Sequence, residues 1–256
     1  MPYTLNPLDK KIKKAPSFWL LLKPLREILS RITLLAARGN RPLQMEFEEQ
    51  LNALIYFHLE EHSSGRHLLQ VLKEDKFARE NVAPKAGIEK SSFFEAINSR
   101  GLEQFLEVFH ALQANATAVL PAEFSNLGDL VAIDGSLIDA VLSMYWADYR
   151  NGSKKAKTHI GFDINRGIPR KIFLTDGKGD ERPFVSRILS PGQTGVMDRY
   201  YQCHKNFDLW QEEKKHFVCR IRENTTKTLI SEKAIKPGSI VFYDAVVLLG
   251  TKGVNQ

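Results

Sequence analysis

Two acidic residues each close an apolar run. Asp134 ends "LVAI" in "LVAIDGSLIDAVLSMYW", and Asp198 ends "GVM" in "GQTGVMDRYYQ". A carboxylate is a hard oxygen donor suited to Mg²⁺, with Mn²⁺ as a substitute. Two carboxylates on rigid elements can place a pair of divalent ions roughly 4 Å apart, which activate water or a 3′-hydroxyl and stabilise a leaving oxygen. Asp134 and Asp198 are therefore the candidate catalytic and metal-ligating residues. An Asp-Gly pair also caps turns, so Asp134 alone would read as a turn. Two such acids, on the elements described next, favour a metal site. Asp139, Asp148, Asp163 and Asp176 stand in more turn-like surroundings and are weaker candidates.

The elements that must position these acids begin near residue 125. "LVAID", "KTHIGFDIN", "IPRKIFLTD", "TGVMD" and "HFVCRIRE" read as five strands. A short helix around Phe184–Leu189 and another in "HKNFDLWQEEKK" interrupt them, and "KTLISEKAIKPGSIVFYDAVVLLG" reads as further β structure. Strands with intervening helices define an α/β class with a mixed sheet. An acid on the first strand and another on the fourth suit an RNase H-like sheet, in which those two strands are neighbours. Upstream, residues 1–16 read as a basic arm carrying Lys10, Lys11, Lys13 and Lys14, and residues 17–122 as an all-helical domain. Residues 125–256 read as the α/β core, with further β structure toward the end.

The formal net charge of +6 favours a polyanionic partner, nucleic acid before an anionic membrane surface. The candidate phosphate contacts are Arg199, the pair Arg220 and Arg222 on one strand face, and Lys154, Lys155 and Lys157 beside the Asn151-Gly152 turn. In "NVAPKAGIEKSSFFEAINSRG" a small turn precedes Ser92 and Glu95, whose capping-box spacing starts a helix at Phe93. Helix, small turn and capped helix read as a helix-turn-helix, with Lys90 and Arg100 placed for DNA. Cys203 and Cys219 form no C-x-x-C pair, which fits a reducing cytoplasm. Lys23, Pro24, Arg26 and Arg31 interrupt "SFWLLLKPLREILSRITLLAARG", so it reads as amphipathic rather than membrane-spanning. His58 and His62 match the zinc pattern H-x-x-E-H, but His58 lies on an apolar stripe and no third ligand follows. A zinc hydrolase is thus the weaker reading.

The stretches "AIDGSLIDAVLSMYWADYRNGSKKAKTHIGFDINRGIPRKIFLTDGKGDERPF" and "GVMDRYYQCHKNFDLWQEEKKHFVCRIREN" resemble bacterial insertion-sequence transposases of the DDE type, in the branch called insertion sequence family four. The resemblance covers about residues 125–250, and "GIEKSSFFEAINSRGLEQF" is similar to the N-terminal region of the same proteins. It implies a Mg²⁺-dependent enzyme that binds element ends and target DNA, hydrolyses a phosphodiester and joins the 3′-hydroxyl to the target. It also implies a homodimer in a synaptic complex and a place in the bacterial cytoplasm on nucleoid DNA. Asp134 and Asp198 match the first and second acids of the family, and Arg199 matches the residue after the second. The third is a glutamate within Tyr-x2-Arg-x3-Glu-x6-Lys, and none of the seven tyrosines here has Arg at the third following position. The chain therefore reads as truncated, with weak or no strand cleavage. A catalytically inactive DNA-binding remnant is the alternative.

Overall fold

The computed structural model describes residues 16–36, 42–117, 119, 121–140, 144–147, 149–150 and 153–250. Two compact units divide the chain, Met1–Asn115 and Ala116–Gln256. Most of the basic arm lies outside the described residues, as do Asp148 and the Asn151-Gly152 pair.

The first unit is helical. Its helices are α1 (Pro16–Leu21), α2 (Arg26–Leu29), α3 (Phe47–Leu59), α4 (Gly65–Glu74), α5 (Lys76–Asn81), α6 (Lys90–Ser99) and α7 (Leu102–Asn115). Polar caps fix the starts. The Glu49 carboxylate accepts from the Glu46 amide at 2.8 Å, Ser64 Oγ accepts from the His67 amide, and Asp75 Oδ1 accepts from the Ala78 amide. Trp19, Met45, Leu68, Leu72 and Phe93 fill the core between the helices. Gln50, fully buried, donates from Nε2 to the carbonyls of Ala96 and Arg100 and so stitches α3 to the end of α6. α6 begins at Lys90 rather than at Phe93, with Glu89 as its N-cap. Ser92 therefore lies inside the first turn, and the capping box expected from its sequence does not form. The stretch from Val82 to Glu89 separates α5 from α6, longer than the three or four residues of a helix-turn-helix turn.

The zinc pattern is also dissolved by the fold. α3 stops at Leu59, and Glu61 adopts a left-handed φ of 51°. His62 therefore leaves the helix face that holds His58 and packs against Tyr56, Phe57 and His67. Among the described residues no group of three or more His, Cys, Asp or Glu is assembled to hold a metal. No described helix is long and apolar enough to cross a membrane.

The second unit is built on a five-stranded sheet. Its strands are β1 (Leu130–Asp139), β2 (Lys155–Asp163), β3 (Ile168–Asp176), β4 (Thr194–Met197) and β5 (His216–Cys219), in the order β3-β2-β1-β4-β5. β1, β2 and β3 run antiparallel, while β4 and β5 join β1 in parallel. This is the mixed sheet of the RNase H-like fold. α8 (Val185–Ile188) and α9 (His204–Glu212) supply the parallel crossovers. Val131, Ile133, Val185, Ile188, Leu189, Met197, Tyr201 and Trp210 form the core on the helix-covered face. Gly161 on β2 belongs to that face, and a methyl group there would overlap Ile188, so the missing side chain sets how closely α8 approaches. The other face carries Asp134, Ile160 and Ile172 in one row across three strands, with Phe162, Leu174 and Val218 exposed beside them. β6 (Lys227–Glu232) and β7 (Ala245–Leu249) pair as a separate antiparallel ribbon. They occupy the segment read as further β structure.

Candidate active site

Register brings the two acids together. β1 and β4 pair in parallel as Leu130 with Thr194, Val131 with Gly195 and Ala132 with Val196. Continued by two residues, this register sets Asp134 level with Asp198, on the face opposite the helices. β1 does not end at Asp134, as the apolar run implies. It continues to Asp139, paired with β2 along its whole length. What ends at Asp134 is burial: Val131 and Ile133 are covered, and apart from the half-buried Gly135 the strand is exposed from Asp134 onward, where β4 has stopped. Asp198 opens a short 3₁₀ turn, Arg199–Tyr201, and its Oδ1 accepts the Tyr200 amide at 2.8 Å. That bond fixes the carboxylate and leaves Oδ2 for another partner. No ion pair engages Asp134 among the described residues. Two exposed oxygen donors at one level fit Mg²⁺, which takes one or two carboxylates and completes its shell with water and phosphate oxygens.

Beneath this pair, on the helix side, lies a carboxylate the sequence reading missed. Glu181 comes from the loop between β3 and α8 and packs directly against Gly135, where any side chain would overlap it. Its Oε1 pairs with Lys157 Nζ at 3.1 Å, and its Oε2 accepts the Tyr201 hydroxyl at 3.0 Å. Lys157 also donates to the Gly179 carbonyl. Burial first, then the charge of Glu181 and its hydrogen bond, and then Asp134 and Asp198, push the Tyr201 phenol far above its ordinary range. Glu181 thus links β1, β2 and the Asp198 turn. Gly135 and Asp134 alternate along β1, so Glu181 packs on the face of that strand opposite the one the Asp134 side chain leaves from. The signal available in sequence was Gly135, a glycine inside a strand, which marks a close approach.

His159 lies beside this cluster on β2, paired in register with Gly135. Its ring stacks on Phe184 at 3.9 Å. Thr175 Oγ1 spends its proton on the Asp176 carbonyl, so the His159 Nε2–H donates to Thr175 at 2.9 Å. The other ring nitrogen, Nδ1, is buried without a partner. Burial holds the imidazole below its ordinary value, against the opposing charge of Glu181.

The basic residues divide. Arg199 and Arg222 line one cleft of 530 Å³ with Asp198, Tyr200, Glu223 and Asn224. Gln202 holds that cleft together: its Oε1 accepts the Arg222 amide at 2.7 Å and its Nε2 donates to Thr225. Arg182, also missed in sequence, stands over the Tyr200 ring at 5.9 Å and pairs with Asp180. Arg220 and Arg222 do not alternate on a strand, because β5 ends at Cys219. Both are exposed in the segment that follows. Burial and the Asp198 charge push the Cys219 thiol up to about 11, so it is no nucleophile here. Lys157 is committed to Glu181 and Gly179 and does not offer its charge to a phosphate. Lys155 pairs with Asp139 at 2.5 Å, and Lys154 lies over the Tyr145 ring. In the helical unit Lys90 is exposed, whereas the Arg100 side chain is only 6% exposed and pairs with Glu95, which withdraws it from DNA contact. Of the weaker acids, Asp163 pairs with Arg166 and Arg170, Asp139 with Lys155, and Asp176 accepts the Lys178 amide. Each has a structural partner.

A family model described as the transposase DDE domain matches residues 125–241, which takes in the whole five-stranded sheet, both acids and β6. No curated protein matches the chain. Among solved structures, the piggyBac transposase synaptic complex with hairpin DNA is 13% identical at a TM-score of 0.41, over 78% of this chain and 47% of that one. The chain therefore spans about half the length of that transposase.

Two consequences can be measured. Glu181→Ala leaves Lys157 charged, largely buried and unpaired, and should lower the unfolding free energy of the sheet unit by roughly 3–5 kcal/mol in urea titrations. A change below about 1 kcal/mol would mean that the ion pair is not formed in solution. His159 gives a pH dependence. Its folded pKa lies below the ordinary 6.5, so as pH falls through 6.5 the unfolded chain takes up a proton that the folded chain refuses. Stability should decline below that pH and level off once the folded imidazole also protonates. In His159→Gln this part of the decline should vanish.

Proposed function

We propose that the second unit is the phosphoryl-transfer core of a Mg²⁺-dependent DNA transposase of the insertion sequence family four type. The observation that supports the reading is the parallel β1–β4 register, which, continued by two residues past Ala132 and Val196, would bring Asp134 level with Asp198 just beyond the end of β4. The transposase DDE domain match over the same residues supports it. Asp134 and Asp198 would hold the divalent ion, which would supply charge stabilisation and activation of an oxygen nucleophile for in-line displacement at phosphorus. Arg199 and Arg222 neutralise the DNA phosphates in the cleft beside Asp198, and Arg220 extends that contact. Lys154 from the β1–β2 loop and Lys90 from the helical unit add further backbone contacts. The DNA is an element end and then a target, a homodimer brings two ends together, and the reaction takes place on nucleoid DNA in the bacterial cytoplasm.

One observation favours a second reading, a DNA-binding protein without catalysis. Among the described residues Glu181 is engaged by Lys157 and Tyr201, and no group of three or more His, Cys, Asp or Glu is assembled to hold a metal.

A nicking assay on supercoiled and element-end DNA separates the two. The account expects weak nicking that requires Mn²⁺ or Mg²⁺ and falls to background, on the order of 10²-fold or more, in Asp134→Ala and in Asp198→Ala. Salt-sensitive DNA binding with no nicking under any metal establishes the second reading instead. Nicking that survives both substitutions rejects the assigned site.

A further inference from the structure

We propose that Tyr145 and Trp146, in the loop between β1 and β2, form a stacking platform for an unpaired nucleobase of the DNA strand handled at Asp134. This rests on the DNA-processing reading above and adds a site that reading does not contain. Trp146 differs from the other two tryptophans in its exposure. Trp19 and Trp210 are each 1% exposed, as tryptophans in a folded core should be, whereas Trp146 is 52% and Tyr145 82% exposed. Two large adjacent rings left in water mark an interaction site.

The described residues of this loop are hydrogen-bonded at several points. The Ala147 amide donates to the Met144 carbonyl at 3.0 Å and closes a turn, with Tyr145 and Trp146 at its two central positions. Ala147 itself is fully buried, and its carbonyl accepts the Lys155 amide at 2.8 Å, which ties the turn to the start of β2. Tyr149 packs against Gly177 in the turn after β3, and Ser153 Oγ donates to the Arg150 carbonyl. The rings therefore project from an anchored turn, and little order has to be gained when a ligand stacks on them.

Charge selects the partner. Lys154 Nζ lies 6.0 Å from the Tyr145 ring centre, and the Arg150 guanidinium lies 5.7 Å from that of Tyr149. Aromatic faces interleaved with cations suit a nucleic-acid strand, whose bases stack while its phosphates meet the positive charge. A base inside a duplex has both faces covered, so the platform suits an unpaired one. Position agrees with this. β1 carries the chain from Asp134 to Asp139, roughly 17 Å along one strand, before the loop begins. The platform thus follows β1 beyond the end of the sheet that carries the two acids. A strand end opened for cleavage or joining supplies such a base.

Tryptophan fluorescence of the full chain tests the proposal, because two of its three tryptophans are buried and stacking quenches the third. The probes are a blunt, fully paired duplex and the same duplex with a few unpaired nucleotides at one end. The unpaired end should quench the emission and bind more tightly than the blunt duplex. Trp146→Ala should abolish the quenching and weaken binding of the unpaired-end probe by roughly ten-fold, leaving the blunt duplex within about two-fold. Tyr145→Ala should weaken the same probe while Trp146 still reports. Equal affinity of wild type and Trp146→Ala for both probes, measured by anisotropy, overturns the platform but not the DNA reading. If neither probe binds the wild-type chain, the DNA reading fails and the platform with it. A change in self-association on Trp146→Ala, with DNA binding unaltered, assigns the rings to a protein contact and also overturns the proposal.

Discussion

The second unit depends on a carboxylate packed under a glycine. Glu181 occupies the space that a side chain at position 135 would take, and Lys157 and Tyr201 hold its two oxygens. The three partners come from the β3–α8 loop, from β2 and from the turn after β4. One ion pair and one hydrogen bond therefore tie the β3–α8 loop, β2 and the turn after β4 to one another. Both charged side chains are close to nine-tenths buried, at 12% and 13% exposure. At that depth, removing one partner costs far more than at an exposed pair such as Lys155 with Asp139, which salt and water largely screen.

The consequence at the acids is geometric. Asp134 and Asp198 lie level because β1 and β4 pair in parallel, and they are exposed because β4 stops there while β1 runs on along β2. The Asp198 carboxylate is aimed by the Tyr200 amide, and the turn that contains Tyr200 is anchored through Tyr201 to Glu181. Neighbouring charge is arranged in the same way. Gln202 draws the segment after β5 against this turn, which brings Arg222 into the cleft beside Asp198. Positioning thus comes from buried contacts on the helix side, while the face that would meet DNA and metal keeps its oxygen donors exposed.

Much of this was legible in sequence, for identifiable reasons. The five strands of the sheet were visible because apolar runs alternate with Gly, Pro and Asn turns, and acids on the first and fourth suited an RNase H-like sheet, in which β1 and β4 are neighbours, as they are here. The ends were less legible. β1 runs to Asp139 because its antiparallel partner β2 continues, and nothing in "DGSLID" announces that. β5 stops before Arg220, so an alternation of arginines that reads as one strand face is lost. Ser92 and Glu95 satisfy a capping spacing, yet Glu89 starts the helix earlier. Glu181, Tyr201 and Gln202 were invisible as a group because their meeting depends on tertiary contacts across separate segments. Arg100 and Lys157, read as phosphate contacts from charge alone, are withdrawn because their own side chains are largely buried and paired with Glu95 and Glu181, which no local pattern reveals.

The account turns on whether Asp134 and Asp198 bind one divalent ion together. Electron paramagnetic resonance of Mn²⁺ titrated into the intact chain reads this directly, because bound ion loses the six-line signal of free Mn²⁺. The account predicts Mn²⁺ binding that competes with Mg²⁺, weakens by roughly ten-fold or more in Asp134→Asn and in Asp198→Asn, and weakens little further in the double variant, since both ligands serve the same ion. Binding that is unchanged in both single variants, or losses that simply add, would contradict it.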